Sequence, residues 1–103
     1  MELRGKQKSF LKRQAHHLQP IFQIGKGGLN EQLIVQIGEA LEKRELIKVS
    51  LLQNTEEDVR DVAAILEQKL NCQIVQIIGR VLVIFKISTK EKNQKISSAV
   101  KKV

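Results

Sequence analysis

The sequence predicts an α/β domain in which helices and strands follow one another as α-β-α-β-α-β-β around a mixed four-stranded sheet, an open sandwich. Three observations predict it. Apolar residues recur at helical spacing in three separate segments. Residues 46–51 alternate between apolar and polar side chains, and Val81 to Phe85 is apolar throughout, as strands require. Gly79-Arg80 separates two apolar runs and suits a two-residue II′ hairpin, which takes glycine first.

The elements follow in order. In residues 5–18, Leu11, Ala15 and Leu18 fall on one helical face beside Phe10, while Lys6, Lys8, Lys12 and Arg13 lie mostly off it. Pro20 stops this helix. Residues 20–24 read as a short strand and run into Gly25-Lys26-Gly27-Gly28. Asn30 then offers an N-cap, and Leu33, Ile34, Ile37 and Leu41 make one face of a second helix to about Arg44. In residues 46–51, Ile47, Val49 and Leu51 point one way and Lys48 and Ser50 the other. Thr55-Glu56-Glu57-Asp58 has capping-box spacing and opens a third helix through Val59, Val62, Ala63, Leu66 and Leu70. Residues 72–78 and 81–87 form the last two strands, antiparallel, with 81–85 central in the sheet. Residues 1–87 thus make one domain. Residues 88–103 make a basic tail, for which a short helix through Ile96, Ala99, Val100 and Val103 and disorder are both open.

A chain of 103 residues, 42% of them hydrophobic, can bury one real core. Its longest apolar run is five residues, far short of the ~20 that cross a bilayer, and no signal-peptide apolar region follows Met1. A cytoplasmic monomer with no membrane partner is expected. Cys72 is the single cysteine, so it forms no internal disulfide and reads as a buried structural thiol.

Charge is unevenly spread within a net +7. Residues 1–28 carry Arg4, Lys6, Lys8, Lys12, Arg13 and Lys26 against Glu2. Residues 29–85 hold six basic and nine acidic side chains, and residues 86–103 hold six lysines against Glu91. Basic ends on a non-basic middle suit a polyanion, because phosphates gather Lys and Arg and release counterions.

Gly25-Lys26-Gly27-Gly28 joins a strand to a helix N-terminus. Its glycines let a ligand approach the backbone, the helix N–H groups and dipole favour an anion, and Lys26 adds positive charge. The G-x-x-G spacing is also the one KH domains use to clamp nucleic-acid backbone, although a tight turn needs glycine too. A P-loop is absent, and a dinucleotide fingerprint fails at Asn30. His16 and His17 are adjacent and point apart, so one can reach a bound nucleic acid while the other packs. No catalytic constellation stands out, and neither an enzyme nor a cofactor is expected. Phe10, Phe22 and Phe85 sit in apolar runs and read as core, so a bound nucleic acid would be held through its backbone rather than stacked on the sheet.

Several blocks together resemble a family. Leu3-Arg4-Gly5, the stretch from Leu18 to Leu29, Glu45 to Val49, and Ile78 to Lys86 look like a CRM domain (chloroplast RNA splicing and ribosome maturation) of the bacterial stand-alone, YhbY-like type. The resemblance spans roughly residues 2–87. It implies a fold similar to the C-terminal domain of translation initiation factor three, and RNA binding through the glycine loop. It further implies association with precursors of the large (50S) ribosomal subunit. The family's Tyr-Arg at the end of its last strand is Phe85-Lys86 here, without the hydroxyl and the guanidinium fork.

The expected function is therefore that of an RNA-binding ribosome-assembly factor. Gly25, Lys26, Gly27 and Gly28 would contact RNA, expected to be large-subunit ribosomal RNA or its precursor, and Arg4, Lys6, Lys8, Lys12 and Arg13 would extend the surface. The alternative is a protein-interaction module that docks on ribosomal proteins or a translation factor.

Overall fold

A computed structural model describes residues 2–103. The elements are α1 (Gly5–Ala15), β1 (Phe22–Ile24), α2 (Glu31–Arg44), β2 (Leu46–Leu51), α3 (Val59–Leu70), β3 (Gln73–Ile78), β4 (Val81–Phe85) and α4 (Lys95–Val100). A 3-10 turn at Glu91–Asn93 precedes α4. The strands form one mixed sheet in the order β1-β2-β4-β3. β1 runs parallel to β2, with Phe22 opposite Val49, while β4 lies antiparallel between β2 and β3. The predicted α/β class, the mixed four-stranded sheet and the central place of residues 81–85 are all present.

Helices cover both faces, and the alternation within each strand decides which side chains meet them. Ile47, Val49 and Leu51 of β2 and Leu82 and Ile84 of β4 pack on α2 and α3, against Ile37, Leu41, Val62 and Leu66. Leu46, Val83 and Phe85 face the other way and pack on α1 and α4, against Leu11, Ala15 and Val100. Phe85 is fully buried, whereas Phe10 and Phe22 pack only partly against their clusters. Cys72 is buried and its thiol donates to the Leu66 carbonyl at 3.4 Å.

Several boundaries differ from the sequence expectation. α1 ends at Ala15 rather than at residue 18, because the Leu18 N–H turns back to the Ala15 carbonyl at 2.9 Å. α3 starts at Val59, since Asp58 is its cap: the carboxylate accepts the Arg60 N–H at 2.8 Å and the Asp61 N–H at 3.4 Å. Thr55 instead accepts the Glu57 N–H in a local turn at 3.2 Å. β1 begins at Phe22 rather than Pro20, which has no N–H for a ladder, and β4 ends at Phe85 rather than residue 87. Gly79 has φ +57 while Arg80 does not share the positive sign, the pattern of a II′ turn.

The segment after β4 is ordered and folds onto α1 and α2. Glu45, fully buried at φ +65 where α2 meets β2, is the anchor. Its carboxylate accepts the Ser88 N–H at 2.7 Å and the Ser97 N–H at 2.8 Å. Glu42, one helical turn earlier, accepts the Ser88 hydroxyl, the Thr89 N–H and the Thr89 hydroxyl. Among the described residues, no helix is long and apolar enough to cross a membrane.

Candidate nucleic-acid interface

β1, β2 and β3 run in one direction, because β4 is antiparallel to both its neighbours. Their carboxyl ends, Ile24, Leu51 and Ile78, therefore lie at the same end of the sheet. Open α/β sheets bind ligands in crevices at that end. The glycine loop leaves β1 there. The loop after β2 lies beside it: a β-carbon on Gly25 would touch Leu52 at 3.5 Å and Asn54 at 3.4 Å. Arg80, in the β3–β4 hairpin, ties the same end together. Its guanidinium donates to the Leu51 carbonyl at 3.2 Å and the Leu52 carbonyl at 2.7 Å.

Within the loop, the Gly28 N–H donates to the Gly25 carbonyl at 3.0 Å, and Gly28 takes φ +69, which glycine tolerates. Lys26 and Gly27 stand exposed at the tip, and a β-carbon on Gly27 would meet nothing within 4 Å. Their two backbone N–H groups have no partner among the described residues. The other end of the loop is less open. A β-carbon on Gly28 would come within 2.8 Å of a Glu57 carboxylate oxygen. Asn30 also accepts the Leu33 N–H at 2.9 Å and so uses one donor of the α2 N-terminus. The sequence reading put the anion at the mouth of α2; a carboxylate already stands beside it and repels a second negative charge. The tip, Lys26 and Gly27, is the part left free.

The cations of α1 divide into two groups. Gln7, Leu11 and Ala15 form its buried stripe, which leaves Lys6, Lys8, Lys12 and Arg13 exposed. Arg4 sits at the start of the helix, where its guanidinium donates to the Val103 carbonyl at 2.7 Å. Lys12 and Arg13, near the other end, line a groove of about 480 Å³ with His16, His17, Gln76 and Ile78. This groove lies at the β3 edge, and the glycine loop lies at the β1 edge. Three strand spacings of ~4.8 Å separate those edges, so the two do not form a single pocket. Gln76 and Ile78 were not singled out in the sequence, where they look like one more stretch of half-buried strand.

The layers segregate charge. Residues 2–18 and 86–103, which hold α1 and α4, carry eleven Lys and Arg against Glu2 and Glu91. The remainder, with α2 and α3, carries seven against nine acids. Only one ion pair, Lys69 to Glu31 at 3.8 Å, occurs among the described residues, and it involves no cation of α1 or α4.

The CRS1/YhbY (CRM) domain model matches residues 3–86. The probable RNA-binding protein YqeI of Bacillus subtilis (strain 168) is 59% identical over 90 residues, which cover 87% of this chain and 94% of that protein. An RNA-binding protein of Haemophilus influenzae is 37% identical over 92 residues, 89% of this chain and 93% of the other. The solution structure of SAV1595 from Staphylococcus aureus superposes with a TM-score of 0.73 at 47% identity, covering 91% of this chain and 98% of that one. With residues 3–86 matched by the family model and close relatives covered over nearly their whole length, the chain belongs to the CRS1/YhbY (CRM) domain family.

Proposed function

We propose that this protein binds RNA through the basic side of its sheet, and that it acts as an assembly factor on large-subunit ribosomal precursors. The observation that carries the reading is the segregation of charge: the α1/α4 side is strongly basic and the α2/α3 side is not. A polyanion is drawn to one side and repelled from the other. Lys26 and the free N–H groups of Lys26 and Gly27 hold phosphate at the loop, with Gly25 and Gly28 shaping the turn. Lys12 and Arg13 continue the track, followed by Lys6, Lys8 and Arg4. The printed names of the Bacillus and Haemophilus relatives support RNA as the partner. The ribosomal assignment rests on what the family resemblance implies.

Crosslinking in cells, followed by sequencing of the attached RNA, tests the proposal. Enrichment of large-subunit ribosomal RNA precursor is the expected result, and a random transcript profile would overturn the ribosomal assignment. One observation favours a second reading, a protein-docking module. Val35 on α2 is 58% exposed and stands between Glu31 and Glu39, a surface suited to a basic protein. Under that reading, Lys26→Glu leaves ribosome association intact; under the RNA reading it weakens it.

A further inference from the structure

We infer that the groove between the end of α1 and the β3 edge receives one unpaired nucleotide of the bound RNA and reads its base; the inference rests on the RNA-binding reading above.

The first observation is a β-bulge. Ile74 pairs with Ile84, and Gln76 pairs with the next residue, Val83, so Val75 is an extra residue in β3. Val75 stays buried in the cluster under α1, and Gln76 emerges on that same face, lining the groove. Strict alternation would send Gln76 to the α2/α3 side instead. Bulges cost ladder regularity and serve to re-aim a side chain. This one presents a carboxamide, both donor and acceptor, whose side chain has no hydrogen-bond partner among the described residues.

The second observation is an apolar wall. Ile78 is 50% exposed, at the end of β3, with its side chain in the groove. It ends a row across the sheet, Gln23-Ser50-Val81-Ile78, that faces away from α2 and α3 and that α1 does not bury. The third is the rest of the lining. His16 and His17 meet edge to face, with centroids 5.3 Å apart and planes at 81°, so their faces are not stacked on each other. Lys12 and Arg13 complete the groove, and no acid lines it.

Each part of a nucleotide has a counterpart here. The base face packs on Ile78 and an imidazole, the base edge meets the Gln76 amide, and the phosphate meets Lys12 or Arg13. Unpaired bases are recognised in this manner, by stacking and by edge hydrogen bonds, whereas a paired base offers its face to its neighbours in the stack. The groove is open to solvent along the surface, so a base would lie against Ile78 with one side still exposed. Contacts at the glycine loop supply no base readout, so this groove gives the protein a preference among single-stranded segments.

The test is a solution NMR titration of the whole chain with a short single-stranded oligoribonucleotide of mixed sequence, and with the same strand lacking its bases. The normal strand is expected to shift the Gly27 amide, the Ile78 methyls, the Gln76 side-chain amide and the His16 ring. The base-free strand should shift Gly27 but leave Ile78 and Gln76 where they were, and should bind about tenfold more weakly. Gln76→Ala with Ile78→Ser should bring the affinity for the normal strand down to that for the base-free one. Should Gly27 respond while Ile78 and Gln76 stay silent, or respond equally to both strands, the base site is refuted and RNA binding stands. Should no resonance respond to either strand, the RNA-binding reading itself falls.

Discussion

Glu45 and Ser97 lie far apart in the chain, yet a Glu45 carboxylate oxygen accepts the Ser97 backbone N–H at 2.8 Å in a fully buried setting. The second oxygen accepts the Ser88 N–H at 2.7 Å. Glu45 therefore satisfies two buried donors of the C-terminal segment from one position at the end of α2. It does so at φ +65, where glycine or asparagine is the usual residue. Glu45→Ala should lower stability by about 2–5 kcal/mol, the cost of two unpaired buried donors. Glu45→Gln keeps one acceptor and should fall between. Urea unfolding midpoints would rank the three, and an alanine variant as stable as the parent would contradict this role.

Glu42 makes the same attachment sensitive to acid. The Thr89 hydroxyl hydrogen bond leads in holding its carboxyl below the ordinary 4.5, helped by the Thr89 and Ser88 groups and opposed by partial desolvation. A carboxylate with a lowered folded-state pKa stabilises the fold above its unfolded value, and the contribution disappears as pH falls through the folded value. Protection of the Thr89 and Lys90 amides, measured against the intrinsic exchange rate at each pH, should therefore fall as pH drops below 4.5. In Glu42→Gln that protection should be low already at neutral pH and nearly independent of pH.

At the glycine loop, Glu57 should oppose RNA. Its carboxylate lies beside Gly28, so Glu57→Gln is expected to tighten RNA binding about threefold at low salt. Lys26→Gln should weaken it and make the log–log salt dependence shallower by about 0.7, one phosphate of a single strand. Filter binding across a salt series measures both. Equal affinities for all three proteins would remove the loop from the interface.

Cys72 should resist thiol reagents. Burial pushes its pKa up from 9.0 to about 11, so the folded protein disfavours the thiolate, the reactive form. A raised folded-state pKa means that stability holds below the unfolded value and declines as pH rises from 9.0 toward about 11. Cys72→Ala should be less stable near neutral pH but lose less on going to alkaline pH. Disulfide-exchange rates with and without denaturant, together with unfolding at two pH values, check both parts.

Much of the fold was legible because its signals are local. The period of Leu33, Ile34, Ile37 and Leu41 marks α2, and the alternation at Ile47, Val49 and Leu51 gives the buried face of β2. The start of α3 was misplaced because Thr55 and Asp58 both carry capping chemistry, and only the folded geometry decides between them. The C-terminal segment was ambiguous for a different reason. Its order comes from Glu42 and Glu45, some forty to fifty positions upstream, and no local pattern encodes that attachment. In the candidate site, the glycine loop stood out by composition. The groove did not, because it joins His16 to Gln76 across the fold, and the bulge at Val75 leaves no mark in an apolar stretch.

The strand order has a consequence for synthesis on the ribosome. β4 occupies the middle of the sheet but is made after the strands on both sides of it. While residues 1–80 emerge, β2 and β3 have no partner between them, and two apolar faces stay uncovered. The nascent chain can therefore form early only the β1–α2–β2 unit, with the rest of the sheet still waiting for its central strand. Its commitment comes late, when the hairpin at Gly79-Arg80 turns and one strand joins the two halves at once.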